Sequence, residues 1–125
     1  MKYRIIICCL IPILLASCYQ PERDCQAFKE GKFTFTTTVN GEEKTTTFVR
    51  SENREIDVFE GKADTSSVRW VNDCEYILKK INPKNNAEEK SVHIKILSTT
   101  AESYLFEYGL VGETKKSRGT AFINK

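Results

Sequence analysis

The chain has 125 residues, with 19 lysines or arginines against 17 aspartates or glutamates, and 40% of its residues are hydrophobic. This length is enough for one small domain but not for two. A mean hydropathy of −0.41 and a charged fraction of 29% argue against an integral membrane protein, and the hydrophobic content argues against a disordered chain. A large multidomain nucleic-acid enzyme is excluded by size.

The first seventeen residues have the pattern of an export signal. Two basic residues precede an apolar run from Ile5 to Leu15, and small residues follow it. The run spans eleven residues, whereas a helix needs about 20 to cross a bilayer, and Pro12 interrupts it. We therefore expect residues 1–17 to be removed on export.

The residues Leu15-Ala16-Ser17-Cys18 look like the lipobox of bacterial lipoproteins. The resemblance implies that diacylglyceryl is attached to the Cys18 thiol, that the chain is cleaved before it, and that the new N-terminus is acylated. Two or more acyl chains together anchor a protein stably in a membrane. Tyr19 stands where Asp marks inner-membrane retention, so the resemblance favours the outer membrane of a bacterial envelope. The alternative is an ordinary secretory signal beside a chance cysteine.

Removal of the signal leaves a mature chain of balanced charge. It takes Lys2 and Arg4 from the 19 basic residues, which leaves 17 against 17 acidic residues. Nucleic-acid binding needs a basic surface that displaces counterions from phosphates. We therefore expect no nucleic-acid partner, although the pI of the whole sequence is about 8.2.

The same cleavage sorts the five cysteines. Two leave with the signal and Cys18 carries the lipid, so Cys25 and Cys74 remain. An even pair in an exported domain predicts a disulfide, with two free thiols as the alternative. Two thiols and the single His93 fall short of the four ligands of a structural zinc site, so no metal is expected.

The mature chain divides into a lipidated tether, residues 18–24, and one β domain, residues 25–125. One short helix of no more than about three turns is predicted from Pro21 to Glu30. Pro21 suits a first helical position, and Gly31 suits a left-handed cap after the end.

From Lys32 onward the pattern is typical of strands. Aromatic residues and valine alternate with threonines up to Val39, and Asn40-Gly41 then predicts a two-residue hairpin turn. That turn pairs Val39 with Glu42 and places Phe33 opposite Phe48. Six further short strands, separated by turn-forming residues, are predicted at 54–60, 65–71, 74–81, 91–98, 103–108 and 118–123.

Eight short strands without long helices between them favour an antiparallel meander. The predicted fold is all-β: a small up-and-down barrel or half-barrel with one short N-terminal helix, and a two-sheet sandwich is the alternative. A barrel of this size is mostly filled by its own side chains, so an enclosed pocket is the less favoured case.

Alternation along the strands predicts the inward-facing side chains. They are Phe33, Phe35, Phe48, Ile56, Val58, Val92, Ile94, Ile96, Tyr104, Phe106, and Phe122 or Ile123. Around Trp70 both faces are apolar, with Val68, Trp70 and Ile77 on one and Val71, Cys74, Tyr76 and Leu78 on the other. One explanation is that the predicted helix covers the outside of this hairpin and brings Cys25 toward Cys74.

No motif indicates a particular chemistry. His93 alternates with apolar neighbours and lies on a lysine-bearing face, which favours a solvated histidine over a catalytic one. The sequence contains no phosphate-binding glycine loop or nucleophile elbow, and we assign no catalytic residue and no cofactor. The candidate binding residues combine apolar area with a polar tip: Trp70, Tyr76, Tyr104 and Tyr108.

Three stretches resemble a family of small exported bacterial lipoproteins of unknown function: Trp70-Val71-Asn72-Asp73-Cys74-Glu75-Tyr76, Asn82-Pro83-Lys84 and Arg118-Gly119-Thr120-Ala121. The similarity spans most of the mature chain. These motifs have no assigned chemical role, so the resemblance implies no functional residues. Some members of the family carry a DNA topoisomerase label, which fits neither the length, the lipid anchor nor the balanced charge of this chain.

Two functional hypotheses follow. The first is a lipid-anchored envelope protein, for which the outer membrane is favoured over the inner membrane as the location. Its β domain would bind a partner protein or a small apolar ligand without catalysis. The second is a hydrolase-like envelope enzyme that uses carboxylates such as Asp73, Glu75 or Glu107. Two carboxylates that converge across one cleft would favour the second.

The lipid anchor predicts that radiolabelled palmitate enters the protein and that Cys18→Ala abolishes this labelling, because the acceptor thiol is lost. The labelled band is compared between the two proteins by gel autoradiography. Equal labelling of both would refute the anchor.

Overall fold

Residues 23–124 of the computed structural model form a closed antiparallel β-barrel. Eight strands follow one another in chain order, and the last pairs with the first. They are β1 (Gly31–Val39), β2 (Glu42–Ser51), β3 (Arg54–Phe59), β4 (Lys62–Asn72), β5 (Glu75–Lys80), β6 (Val92–Thr99), β7 (Ser103–Leu110) and β8 (Ser117–Ile123). The predicted all-β meander is confirmed, as a barrel. The predicted export signal, the predicted lipidation site Cys18 and the other residues before Arg23 lie outside the described part.

The first hairpin has the predicted register. Val39 pairs with Glu42 and Phe33 with Phe48, and Asn40 and Gly41 have φ values of 51° and 80°, as a type I′ turn requires. The turn between β3 and β4 uses the same left-handed backbone at Glu60 and Gly61, with φ values of 49° and 76°. Because this turn needs only two residues, β4 begins earlier than the predicted residue 65.

The predicted helix from Pro21 to Glu30 is wrong in the part that the structure describes. There the chain forms a single 3-10 turn, Cys25–Phe28, and the Asp24 side chain makes no capping hydrogen bond. A 3-10 turn aligns residues i and i+3, and both Cys25 and Phe28 are buried. Tertiary contacts therefore outweigh the weak helical preference of a short segment. No helix among residues 23–124 is long and apolar enough to span a bilayer.

Residues 23–30, which we call the plug, lie across one end of the barrel instead of covering a hairpin from outside. The predicted disulfide between Cys25 and Cys74 is present and ties the plug to the β4–β5 turn. Arg23 Nη1 donates to the Ile96 carbonyl of β6 at 2.9 Å. The Phe28 ring packs inside this end of the barrel, 5.2 Å from the ring centroid of Tyr104.

Inward-facing aromatic and aliphatic residues form the core as predicted, with two exceptions. Most of the predicted set is buried or packed against the core: Phe33, Phe35, Phe48, Val92, Ile94, Ile96, Tyr104, Phe106 and Ile123. Ile56 and Val58 were predicted inside but are 45% and 42% exposed. Phe122 is also exposed, so Ile123 is the inward residue of that pair.

The inward face of β3 was wrongly predicted because its neighbouring strand, β2, determines which β3 side chains face inward. Arg50 follows Phe48 on the inner face of β2, and the register places Glu55 directly opposite Arg50. Glu55 therefore faces inward, and Ile56 must face outward. The inner face of β3 carries carboxylates because β2 presents a buried cation to it.

The Trp70 hairpin also differs from its predicted faces. Val68 pairs with Leu78 and Trp70 with Tyr76, so these four side chains share the inner face. The register shifts between Trp70 and Asn72, and Val71 on the outer face is 52% exposed. A β-bulge of this kind reorients a strand at its end, which period-two alternation does not capture.

Small residues let β8 close against β1. Phe35 pairs with Ala121, and a Cβ placed on Gly119 would overlap the ring of Phe35. The inner face of β8 therefore makes room for the aromatic residues of β1.

Candidate functional site

A cavity of about 580 Å³ occupies the half of the barrel away from the plug. Its mouth is bordered by Phe59, Glu60 and Lys62 at the β3–β4 turn. Most of its wall is apolar and is contributed by β1, β2, β5, β6 and β7, through Phe35, Phe48, Leu78, Val92, Ile94, Phe106 and Tyr108. The sequence favoured a barrel mostly filled by its own side chains, and this half of the interior instead contains an open cavity.

The β3–β4 side of the cavity is acidic. Glu55, Asp57 and Asp64 line it, because β3 turns its carboxylates inward and Asp57 pairs with Asp64 across the strands. The site therefore combines an aromatic wall with a carboxylate wall.

Arg50 lies at the end of the cavity nearest the plug, which we call the floor. Its side chain is buried, and the residue is only 1% exposed. Its Nε donates to Glu55 Oε2 at 2.8 Å, and its Nη1 donates to the Phe28 carbonyl at 2.6 Å. Its Nη2 donates to the hydroxyl oxygens of Tyr76 and Tyr104, at 2.6 and 3.0 Å. One guanidinium thus connects β2, β3, β5, β7 and the plug.

Aromatic rings surround this guanidinium. The Arg50 Cζ atom lies 4.5 Å from the ring centroid of Tyr76, 5.2 Å from that of Phe33 and 5.5 Å from that of Phe48. Ring faces attract a cation, and the attraction is strongest where water is excluded. The rings therefore add to the stabilisation of a charge that hydrogen bonds already satisfy.

The protonation states of this cluster follow from its burial. Burial opposes the charged form of Arg50, but Tyr76, Tyr104 and Glu55 outweigh it and raise the pKa of Arg50 above its ordinary value. Burial also raises the pKa of the Tyr76 and Tyr104 phenols. At neutral pH the floor therefore holds a permanent guanidinium cation and two protonated tyrosines.

Asp57 has the most perturbed carboxyl of the acidic wall. Burial, the charge of Glu55, a hydrogen bond to Glu55 and the charge of Asp64 raise the pKa of Asp57 from 3.8 to about 8, although Arg50 acts in the opposite direction. Two neighbouring carboxyls in a poorly hydrated site share one proton more easily than they both ionise. At neutral pH Asp57 therefore retains its proton.

The other carboxylates of the cavity each have a cation. Glu55 has Arg50, Lys80 lies 3.4 Å from Asp64, and Lys44 lies 3.1 Å from Glu60. Among residues 23–124, Asp57 makes no ion pair within 4.0 Å. It is the uncompensated acid of the cavity wall.

The structure brings three of the four candidate binding residues together. Tyr76, Tyr104 and Tyr108 line the cavity. Trp70 does not line it and instead packs on Tyr76, with ring centroids 4.6 Å apart, while the Lys29 ammonium lies 5.0 Å from its ring. Trp70 therefore supports the floor from the plug side.

The residues considered for an enzyme lie outside the cavity: His93, Glu75 and Glu107 on the outer face, and Asp73 in the β4–β5 turn, where it accepts a hydrogen bond from Gln26. His93 is on the face opposite the core, as predicted, with its Nε2 3.4 Å from Glu75 Oε2. Lys95 pairs with Glu75 on one side and with Glu107 on the other, so a lysine-bearing strand separates the two carboxylates. The acids named for the enzyme hypothesis therefore do not converge on the cavity.

Sequence reasoning missed Arg50, Glu55 and Asp57 as site residues. The signal was present, because Arg50 stands two residues after Phe48 on the predicted inner face. A charged side chain that alternates onto the core face of a strand needs a buried partner of opposite charge. The two-residue β2–β3 turn places Glu55 directly opposite Arg50. Between residues 23 and 124 no three or more histidine, cysteine, aspartate or glutamate side chains are placed so that they could hold a metal ion.

No protein-family model matches the chain, and no curated protein is similar to it. The function of the chain is therefore inferred from the geometry of its own residues.

Arg50→Ala should lower the free energy of unfolding by about 3 to 5 kcal/mol, because it leaves Glu55 as an unpaired buried charge. The exposed Arg54 on the same hairpin gives a matched control, and Arg54→Ala should change it by less than about 0.5 kcal/mol. Urea denaturation of the mature protein measures both. Similar small losses for the two variants would contradict the buried cluster.

Asp57 should make the protein less stable as pH rises from about 4 to about 8. Over this interval the folded barrel still binds the Asp57 proton while the unfolded chain has released it, so unfolding releases a proton. Asp57→Asn should flatten this slope, as measured by urea denaturation at a series of pH values. A slope that survives the substitution would assign the effect to another group.

Proposed function

We propose that this chain is a lipid-anchored envelope protein whose barrel binds a small, largely apolar ligand. The observation that carries the proposal is the open-ended cavity of about 580 Å³ with aromatic and aliphatic walls. Pockets for small molecules in proteins have about 300 to 1,000 Å³ and a few polar groups among apolar ones. The cavity falls within both descriptions.

The two halves of the barrel support a binding role. The plug-side half is filled by buried aromatic residues, including Phe28, Phe33 and Tyr104, and the disulfide fixes the plug over it. The atoms that line an open cavity lack the dispersion contacts that they would make with side chains filling it. A barrel with only a structural task would gain stability from larger side chains around Thr46 and Val92, which line the space. The cavity is therefore better explained by an occupant.

The proposed anchor also sets which way the mouth faces. Five residue steps separate Cys18 from Arg23, which covalent geometry limits to about 18 Å when fully extended. Arg23 is bound at the plugged end. With Cys18 in the bilayer, the plugged end stays near the membrane surface and the mouth is free to face the aqueous compartment.

A binding role is favoured over the two alternatives. Of the acids named for a hydrolase, Glu75 and Glu107 lie on the outer face and Asp73 lies in the β4–β5 turn. Glu55 inside the cavity is already bound by Arg50. A partner protein would have to use an outer surface, where the exposed apolar residues include Val49, Ile56 and Val58 on β2 and β3. Exposed apolar residues of this number are ordinary on a protein surface.

Thr46→Trp tests the cavity directly. Thr46 lines the cavity, so an indole there should occupy ligand space and weaken binding of a neutral apolar fluorophore, phenylnaphthylamine, at least about tenfold. Thr45→Trp on the exposed outer face of the same strand is the matched control. Fluorescence titration is done on the mature lipoprotein in lipid nanodiscs, with empty nanodiscs as the blank.

Saturable binding to the wild type and to Thr45→Trp, and its loss in Thr46→Trp, would support the proposal. Equal binding by all three proteins, with Thr46→Trp shown to be folded by its circular dichroism, would place the fluorophore outside the barrel and refute the proposal.

A further inference from the structure

The charges that face the cavity are unevenly compensated around Asp57. On β3 it lies between Glu55 and the rim, and on β4 its direct partner is Asp64. The other titratable or charged groups that face it are Arg50 from β2, Lys62 from β4, Tyr76 and Lys80 from β5, Tyr104 and Tyr108 from β7, and Glu60 at the rim. Arg50 is engaged by Glu55 and Lys80 by Asp64 and Glu88, while Lys62 is exposed.

A ligand that enters the cavity must remove water from this carboxyl. Beside an apolar or anionic ligand Asp57 would have to stay protonated, because its ionised form would have neither water nor a counter-charge. A cationic group of the ligand would replace the lost hydration with an ion pair. Phe48 is the direct cross-strand partner of Asp57, and its ring, with those of Phe35 and Tyr108 elsewhere in the cavity wall, would also attract a cation.

We propose that the ligand is a lipophilic amine: an apolar body that fills the aromatic half of the cavity and a cationic nitrogen that pairs with Asp57. This inference rests on the proposed small-ligand function and narrows it to one chemical class.

The proton on Asp57 is consistent with this class, since the carboxyl already holds one positive charge in the form of a proton. The pKa of Asp57 is about 8, so at pH 7 a cationic ligand must displace most of this proton. An alkylamine keeps its charge to about pH 10. Affinity should therefore rise up to about tenfold per pH unit below pH 8 and level off above it.

The test compares three probes that share one apolar body and differ only in their end group: phenylbutylamine, phenylbutanol and phenylbutanoate. Each is titrated by calorimetry into the mature lipoprotein in phosphatidylcholine nanodiscs between pH 6 and pH 9. Thr46→Trp in the same nanodiscs corrects for partition into lipid. Buffers of different ionisation enthalpy give the number of protons released.

The expected result is that at pH 8 the amine binds at least about tenfold more tightly than the alcohol, and the alcohol more tightly than the carboxylate. Asp57→Asn should remove both the preference for the amine and the proton release, while it retains binding of the alcohol. Glu107→Gln on the outer face is the matched control and should change neither.

The order of affinity of the three probes in the wild type does not depend on whether Asp57→Asn folds. If the alcohol binds as tightly as the amine, or if the carboxylate binds best, the amine inference is wrong and the proposed small-ligand function still stands. If none of the probes binds beyond the Thr46→Trp blank while phenylnaphthylamine does, the amine inference alone fails. If phenylnaphthylamine also fails to bind, both proposals fall.

Discussion

A single guanidinium inside the barrel constrains the rest of the structure. Water is excluded around Arg50, so each of its donors needs a protein acceptor, and these come from Glu55, Tyr76, Tyr104 and the carbonyl of Phe28. The acceptors lie on β3, β5, β7 and the plug. Any change of register in one of these segments would leave a buried charge or donor unpaired. The cluster therefore specifies one arrangement of the strands and of the plug.

The same cluster separates two regions with different roles. On its plug side the interior is filled and the disulfide fixes the cover. On its other side the polar groups already satisfy one another, and the space above them is left open to the mouth. Asp57 stands on this side without a cation of its own, and this local imbalance is the basis of the proposed preference for a cationic ligand. Stability and the proposed binding would thus depend on adjacent but distinct groups of one inner face.

Much of the fold could be predicted from the sequence because strand period and turn chemistry are local. Asn40-Gly41 determines the first hairpin and its register, and the later turns separate the remaining strands. The β3 face could not be chosen in this way, since Ile56 and Val58 alternate as regularly as the carboxylates beside them. The choice was made by Arg50 on the neighbouring strand, which is a non-local effect. The cavity depends on summed side-chain volumes around the closed barrel, which strand patterns do not report.

The plug shows the same limit, because buried contacts and a disulfide override the helical preference of a short segment. The most direct test of the account is hydrogen exchange at the arginine side chains, followed by NMR of the mature protein in deuterated water. The buried cluster predicts that the Nε–H of Arg50 persists for hours, while that of the exposed Arg54 exchanges within the dead time. Equally fast exchange of both would show that the guanidinium is hydrated, and the barrel would then have no such centre.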